Sequence, residues 1–353
     1  MLLPIDTLLK FKRVSKRWHT LISIHDFTKL RTPFPTSPSG LFVHTFYSLC
    51  RNPCYDFIHF SPNQKFSCAV PFKKYLAFAE KSSKINILQS CNGLFLCSTS
   101  LWFPEKDHYF IYNPTTNQHC KIPPPHCEGS EINGVSLAFD PSKSPHYKVV
   151  CVSKKERDMS FQIEIYSSNK GSWRALICDF VTAPHGTNFH HGVFCNGVIH
   201  WLSRLESTLM SFNVDEEQVR DTLLPRKPND NDKIIGEWGT SCYFGACRDQ
   251  LYLIDIYGPR ILVFDVFEMA KDYSSWFVKY HVDLNAVSYA FPRVLPARFS
   301  ALCIVEGEVG EDSYLVLNTP GILVVRYNFK DKTFYKLCDI VSESIVMMHI
   351  DAY

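Results

Sequence analysis

From Gly40 onward the chain consists of short runs in which apolar and polar residues alternate, each about the length of one β-strand. Examples are INILQSCNGLFLCS, YKVVCVS, FQIEIYSS, GVFCNGVIHWLS and ILVVRYNF. Turn-forming pairs separate the runs, among them Asn92-Gly93, Asp140-Pro141 and Asn196-Gly197. No helical periodicity alternates with these strands, so a parallel sheet with covering helices is disfavoured. The pattern predicts an antiparallel, mainly β domain.

A loose internal repeat organises these strands. Each unit contains a strand, a second strand that ends in an Asn or Asp turn, and a short segment that ends at Pro in the clearest copies, CNGLFLC…YFIYNPTTNQHCKIPPP and CNGVIHWL…LMSFNVDEEQVRDTLLP. The period of roughly 45–60 residues falls in the range of β-propeller blades. One unit cannot bury both faces of its small sheet, whereas a ring of units can. We therefore expect a β-propeller of about six blades over residues 41–353.

Residues 1–30 follow a different pattern. Leu8, Phe11, Val14 and Trp18 recur at steps of three and four residues, which predicts a helix with one apolar face. That face could pack on the chain's own β domain or dock onto a partner protein. The basic residues opposite it form either a solvated surface or a nuclear-localisation patch. The segment 31–40, RTPFPTSPSG, contains three prolines and a glycine that break a helix, and we interpret it as a linker.

The charge balance argues against polyanionic partners. Lys and Arg total 37 and Asp and Glu total 35, so the formal net charge is +2, and we expect neither nucleic acid nor a membrane surface as partner. No stretch approaches the roughly 18 uninterrupted apolar residues of a membrane span, and the charged start does not resemble a signal peptide. The 14 cysteines include no Cys-x-x-Cys, and several lie in apolar runs. This usage predicts reduced core thiols in the cytoplasm or nucleus.

Few residues have the spacing of a chemical site. Four histidines lie in one short stretch: His185, His190, His191 and His200. The spacings of known zinc sites are absent, so we expect these histidines to be structural and the chain to hold no metal. Ser167 to Lys170 satisfies a Ser-x-x-Lys nucleophile pattern, but its companion motifs are missing, and a hairpin turn before Gly171 is the simpler interpretation. We predict no catalytic residue and no cofactor.

The N-terminal segment resembles the later part of the F-box of plant F-box proteins. The matching residues are Leu3-Pro4, Leu8-Leu9, Phe11-Lys12, Val14, Lys16, Trp18, Leu21-Ile22 and Phe27. Residues 41 onward resemble the F-box-associated domain of the same family. Its marks here are Ser-Cys-Asn-Gly-Leu at 90–94, Asn-Pro-Thr-Thr at 113–116, Phe-Asp-Pro-Ser at 139–142, Tyr-Lys-Val-Val at 147–150 and Asn-Gly-x-x-His-Trp-Leu at 196–202. Their order and spacing along nearly the whole chain make the resemblance specific.

The resemblance implies a kelch-like propeller and a role in protein binding. In this family the F-box docks onto the Skp adaptor of an SCF-type ubiquitin ligase, and through it onto cullin, while the associated domain binds the protein to be ubiquitinated. By position, the implied adaptor-binding residues are Leu3, Pro4, Leu8, Phe11, Val14 and Trp18. The chain starts at the second Leu-Pro of the family pattern, so the resemblance also implies an F-box that is truncated at its N-terminal end.

Two hypotheses follow. In the first, the chain is the substrate-recognition subunit of an SCF-type E3 ubiquitin ligase, with residues 1–30 as a partial F-box, 31–40 as a linker and 41–353 as the propeller. In the second, it is a ligase-independent propeller that binds proteins, adaptor binding having been lost with the truncated part. A propeller enzyme is disfavoured because no nucleophile–base pair or metal signature supports it. The polar segment 226–233 is a candidate recognition loop for an unknown target protein.

Overall fold

A computed structural model describes most of the chain after residue 40. The described residues are 11, 14–15, 17, 40–46, 54–60, 85–99, 108–114, 116, 118–126, 130–155, 160–176, 183–225, 240–257, 261–291, 299–307, 313–319, 323–339 and 344–345. After residue 40 they form β-strands and turns, with one short helix, α1 (Asn285–Ala290), and one 3-10 turn, Phe189–His191.

The domain contains 23 described strands. In chain order they are β1 (Gly40–Phe46), β2 (Cys54–His59), β3 (Asn86–Cys91), β4 (Leu94–Ser98), β5 (Tyr109–Asn113), β6 (Gln118–Ile122), β7 (Ser130–Ala138), β8 (Lys148–Lys155), β9 (Phe161–Ser167), β10 (Ser172–Ala175), β11 (Val193–Cys195), β12 (Val198–Ser203), β13 (Thr208–Asn213), β14 (Gln218–Leu223), β15 (Thr240–Cys247), β16 (Gln250–Tyr257), β17 (Val263–Met269), β18 (Trp276–Asp283), β19 (Ser300–Val305), β20 (Tyr314–Thr319), β21 (Leu323–Asn328), β22 (Phe334–Asp339) and β23 (Ser344–Ile345).

Consecutive strands pair as antiparallel neighbours. They form four-stranded sheets in the orders β3-β4-β5-β6, β7-β8-β9-β10, β11-β12-β13-β14, β15-β16-β17-β18 and β19-β20-β21-β22, and a three-stranded sheet in the order β2-β1-β23. The first strands β3, β7, β11, β15 and β19 contact one another in this order, so they are the innermost strands. The fold is a β-propeller, and each four-stranded sheet is a blade that we name by its first strand.

The turn between the third and fourth strands explains the repeat seen in the sequence. In the β11 blade, the side-chain Oδ1 of Asn213 accepts hydrogen bonds from the backbone N–H groups of Asp215 and Glu216, each at 3.0 Å. Glu217 then closes the turn with a φ of 59°. Asn328 plays the same part in the β19 blade. The Asn side chain accepts hydrogen bonds from backbone N–H groups of the turn. The same strand–Asn–turn sequence therefore recurs in different blades.

Each blade is apolar on both faces and is covered by its neighbours. Tyr112, Trp201, Phe212, Tyr252 and Tyr327 are among the fully buried side chains. Continuous apolar clusters join the β3 blade to the β7 blade, and so on in order to the β19 blade. Full burial of one large apolar side chain stabilises a fold by about 1.5–3 kcal/mol. The interfaces between blades are therefore the main source of stability.

The three-stranded sheet packs against the β19 blade. Leu41, Ile58 and Phe60 share an apolar cluster with residues of β19 to β22. The guanidinium of Arg326 lies over the Tyr314 ring, 3.6 Å from its centroid, and its NH1 donates a hydrogen bond to the Phe60 carbonyl at 3.3 Å. Since β1 also pairs with β23, the two ends of the domain meet in one sheet. Arg326 thus connects the first strands of the domain to its last four-stranded blade.

The sequence predicted the mainly β propeller, and this is confirmed. The predicted turns at Asn92-Gly93 and Asn196-Gly197 are also confirmed as two-residue hairpins. Outer strands such as β14 and β18 were not predicted, because they expose most of their side chains and so have little apolar alternation. The predicted helix of residues 1–30 and the linker 31–40 lie outside the described residues, apart from the isolated positions 11, 14, 15, 17 and 40.

We expect Arg326→Ala to lower the free energy of unfolding by about 2 kcal/mol, because it removes a charged hydrogen-bond donor and a cation–π contact. Arg326→Lys keeps the charge without the planar guanidinium and should lose about half as much. Urea unfolding followed by tryptophan fluorescence measures both variants. An unchanged midpoint for Arg326→Ala would contradict the role of this side chain in joining the two sheets.

Candidate functional site

The connections between strands divide between two faces of the propeller. The turns from first to second strand and from third to fourth strand of each blade lie on one face, which we call the hairpin face. The connections from second to third strand and from one blade to the next lie on the opposite face, the loop face. This division follows from the antiparallel meander, in which the chain changes face with every strand.

Side chains of the hairpin face reach from one blade to the next. The Nδ2 of Asn92 donates a hydrogen bond to the carbonyl of Phe139 in the β7 blade at 2.8 Å. The Nδ2 of Asn196 donates in the same way to the carbonyl of Asp249 in the β15 blade, also at 2.8 Å. Both asparagines occupy tight turns at positive φ, where their short polar side chains are tolerated. They therefore serve two purposes, turning the chain and fastening adjacent blades.

The turn Arg248-Asp249 is fastened from both sides. Its residues have φ values of 47° and 61°, a conformation that is uncommon for residues other than Gly, Asn and Asp. The Asp249 carbonyl accepts the hydrogen bond from Asn196, and Arg248 NH1 donates to the carbonyl of Gly307 at 3.0 Å. The turn was not predicted from the sequence, because it lacks an Asn-Gly pair. The hairpin face is thus largely occupied in holding the blades together.

Long connections leave from the loop face. Four connections that leave from it have ten residues or more: 99–108, 176–192, 224–239 and 284–299. The predicted recognition loop 226–233 belongs to one of them, although its own residues lie outside the described part of the chain. Long surface connections on a rigid scaffold are where binding residues usually occur. The loop face is therefore the candidate recognition surface.

The four histidines that are close in sequence do not come together. His200 is fully buried in β12, where its Nδ1 lies 2.8 Å from the hydroxyl of Ser211 and its ring stacks on Tyr273 at 5.2 Å. His190 and His191 are exposed on the loop face, in the 3-10 turn before β11. His200 is structural, as expected. In the part of the chain that the structure describes, no three His, Cys, Asp or Glu side chains form a group that could hold a metal ion.

The Ser-x-x-Lys sequence forms a hairpin turn, as predicted. The carbonyl of Ser167 accepts hydrogen bonds from the backbone N–H groups of Lys170 and Gly171 at 3.1 and 2.8 Å, and the turn joins β9 to β10. Gly171 has a φ of 68°, which favours glycine. The serine therefore shapes a turn on the hairpin face. Among the described residues, no helix has the length and apolar character needed to cross a membrane.

Two of the predicted adaptor-binding residues are described. Phe11 has helical conformation and is half-buried, and Val14 follows it in a turn with 65% of its surface exposed. The backbone N–H of Val14 donates to the Phe11 carbonyl at 3.0 Å. Leu3, Pro4, Leu8 and Trp18 lie outside the described residues, so their arrangement as one docking face stays a prediction.

Known proteins resemble this chain over nearly its whole length. The family described as "F-box associated beta propeller domain" matches residues 45–237. The chain is 34% identical to the F-box protein At5g07610 of Arabidopsis thaliana, in an alignment that covers 96% of this chain and 83% of that protein. It is 24% identical to the F-box protein At5g49610 of the same plant, with 83% of this chain and 79% of that protein covered.

The buried imidazole of His200 makes stability depend on pH. Burial lowers its pKa to about 3, whereas the unfolded chain protonates it near the ordinary value of about 6.5. Between these values the unfolded state binds more protons, so stability falls as pH falls. We expect the difference in unfolding free energy between wild type and His200→Gln to shrink by up to about 1.4 kcal/mol per pH unit from pH 6 to pH 4.

Urea unfolding of both chains at several pH values between 6 and 4 measures this difference. His146→Gln is the matched control, since it removes an exposed histidine from the hairpin face and leaves His200 in place. A pH-independent difference for His200→Gln would show that the imidazole is not held neutral by the fold.

Proposed function

The chain belongs to the family of plant F-box proteins with an F-box associated β-propeller domain, and we propose that it is the substrate-recognition subunit of an SCF-type E3 ubiquitin ligase. In this proposal the N-terminal segment docks onto a Skp-type adaptor, and through it onto cullin, while the propeller binds an unknown target protein. The observation that supports it best is the single alignment to an F-box protein that spans 96% of the chain, from the docking segment through the propeller.

In this proposal the N-terminal segment binds the adaptor. Phe11 and Trp18 are its large apolar residues on the predicted face, and large aromatic side chains often dominate the energy of such contacts. Leu3, Pro4, Leu8 and Val14 complete the proposed adaptor-binding set. The exposure of Val14 is compatible with a partner at this position. We propose residues 1–30 as the partial F-box, 31–40 as the linker and 41–353 as the propeller.

We further propose that the three-stranded sheet is a sixth blade. Its strand order places β23 at the inner position, followed by β1 and β2, as in the first three strands of each complete blade. Its apolar residues pack on the β19 blade in the same way as each blade packs on the next. A ring of this kind leaves no blade with an uncovered apolar face.

We propose that the target protein binds to the loop face of the propeller. The hairpin face is occupied by contacts between blades, whereas the loop face carries four connections of ten residues or more. In this role the chain performs no chemistry itself, and the cullin-bound subunits of the ligase transfer ubiquitin. No cofactor is required for such a role. A cytoplasmic or nuclear location fits the reduced cysteines that the sequence predicts.

The alternative is a propeller that binds proteins without the ligase. The fold alone is compatible with it, because a β-propeller hosts many kinds of binding and does not by itself imply an adaptor. The two functions differ only in adaptor binding, so a single binding experiment separates them.

Co-purification of the full chain with a Skp-type adaptor tests the proposal. We expect the wild-type chain to bind, and Trp18→Ala to weaken the affinity by tenfold or more, about 1.4 kcal/mol or above, because a large apolar anchor is lost. Tyr289→Ala is the matched control, since Tyr289 is an aromatic residue on the propeller with 87% of its surface exposed. A folded wild-type chain that does not bind any Skp-type adaptor would contradict the ligase role and favour the alternative.

A further inference from the structure

Three consecutive prolines lie on the loop face where the chain leaves the β3 blade. Pro123, Pro124 and Pro125 directly follow β6 and begin the connection to β7, and we call residues 123–125 the proline triplet. Pro123 and Pro124 are exposed, and Pro125 is half-buried. After β14, the chain leaves the β11 blade with a single proline, Pro225, before Arg226. A run of three prolines is therefore more than the end of a blade requires.

The prolines fix the backbone of the triplet in an extended form. Each pyrrolidine ring holds φ near about −65°. A residue that precedes a proline is also restricted in ψ, to about +120° to +160°. Pro123 and Pro124 meet both conditions, so their backbone adopts the polyproline II conformation, and the triplet forms neither helix nor strand. One turn of a polyproline II helix contains three residues and rises about 9 Å, which is the length of the triplet.

Both ends of the triplet are fastened to the β7 blade. The indole Nε1 of Trp173 in β10 donates a hydrogen bond to the carbonyl of Pro123 at 2.6 Å. Just after the triplet, the backbone N–H of His126 donates to the carboxylate Oε2 of Glu164 in β9 at 2.9 Å, and its imidazole Nδ1 lies 3.3 Å from the same oxygen. Trp173 and Glu164 are buried. The triplet is therefore held in place on the surface by groups of the core.

The two anchors leave part of the triplet open to a partner. Because a polyproline II helix repeats every three residues, successive side chains point about 120° apart. The half-burial of Pro125 and the exposure of Pro123 and Pro124 show that one side of this turn is directed to the domain and two sides to solvent. Domains that recognise proline-rich segments bind this shape in a groove lined by aromatic side chains.

We propose that the proline triplet is a ligand for a protein domain whose aromatic-lined groove recognises polyproline II helices. The inference rests on the proposed function, because it names the chemistry of one partner of the loop face. Aromatic rings of the groove pack on the pyrrolidine rings of Pro123 and Pro124. Trp173 and Glu164 keep the segment in the bound conformation, so little conformational entropy is lost on binding. The folded chain therefore binds more tightly than the same sequence in a free peptide.

Biolayer interferometry of the full chain against a panel of purified SH3, WW and EVH1 domains tests the contact. We expect the wild type to bind at least one of them. Pro124→Ala should weaken that affinity by about tenfold, because two methylene groups leave the contact. A blocked peptide of residues 121–126 should bind about fivefold more weakly than the full chain, because it lacks the anchors.

Pro145→Ala is the matched control, since Pro145 is an exposed proline on the hairpin face and its replacement should leave the affinity unchanged. Urea unfolding followed by tryptophan fluorescence establishes that each variant is folded. The chain also has prolines at 33, 35 and 38, and binding there would be the same in Pro124→Ala as in the wild type.

Three results would overturn the inference: no binding of the wild type to any domain of the panel, equal binding by Pro124→Ala, or equal affinity of the free peptide and the full chain. Each chain is also co-purified with the Skp-type adaptor. Weakened panel binding with retained adaptor binding in Pro124→Ala supports the contact. A wild-type chain that binds a panel domain through the triplet but no adaptor keeps the contact and removes the ligase role, so the two failures are distinguishable.

Discussion

A small antiparallel sheet that is apolar on both faces is not stable in water unless both faces are covered. This constraint determines the rest of the structure. Each blade is covered by the next, and buried aromatic residues such as Trp201 and Tyr252 fill the space between them. A row of such sheets still has two ends. β23 pairs with β1, and Arg326 contacts the Phe60 carbonyl, so the first and last strands of the domain form one sheet on the β19 blade, and we propose that this sheet closes the ring.

The contacts between blades also decide which face is available to partners. Turn side chains such as Asn92, Asn196 and Arg248 are used on the hairpin face to bind the neighbouring blade. The long connections of the opposite face contribute apolar anchors to the blade interfaces, such as Phe189 and Val287, while other residues in the same connections, such as Tyr289, are exposed. A scaffold that is fixed on one face leaves the exposed residues of the other face free to vary.

Sequence alone predicted the parts of the fold that alternate strongly. The runs that became β3 to β5 and β11 to β13 have buried apolar residues and Asn-Gly turns, and both signals are local. β14, with the sequence QVRDTL, carries no such pattern because an outer strand needs little burial. The turn Arg248-Asp249 was also missed, since its conformation is held by contacts with two other blades that are distant in sequence.

For the loop face, the sequence identified the histidines but not which of them are exposed. The sequence singled out four histidines but could not separate buried His200 from exposed His190 and His191, because the 3-10 turn before β11 depends on the space left by Gly134 of β7 across the blade interface. An isolated glycine in a strand pattern was the available signal of that close approach. The docking residues follow from family resemblance, and their arrangement against an adaptor remains a prediction.

Ring closure by the C-terminal strand is the central claim, and hydrogen exchange measures it directly. The amide exchange of β1 is compared between the full chain and a chain that ends at Asp339, which lacks β23. A closed ring predicts faster exchange at Thr45 and Phe46 and a lower unfolding temperature in the shortened chain, because those residues lose their pairing partners. Identical exchange and unfolding temperature in the two chains would contradict closure.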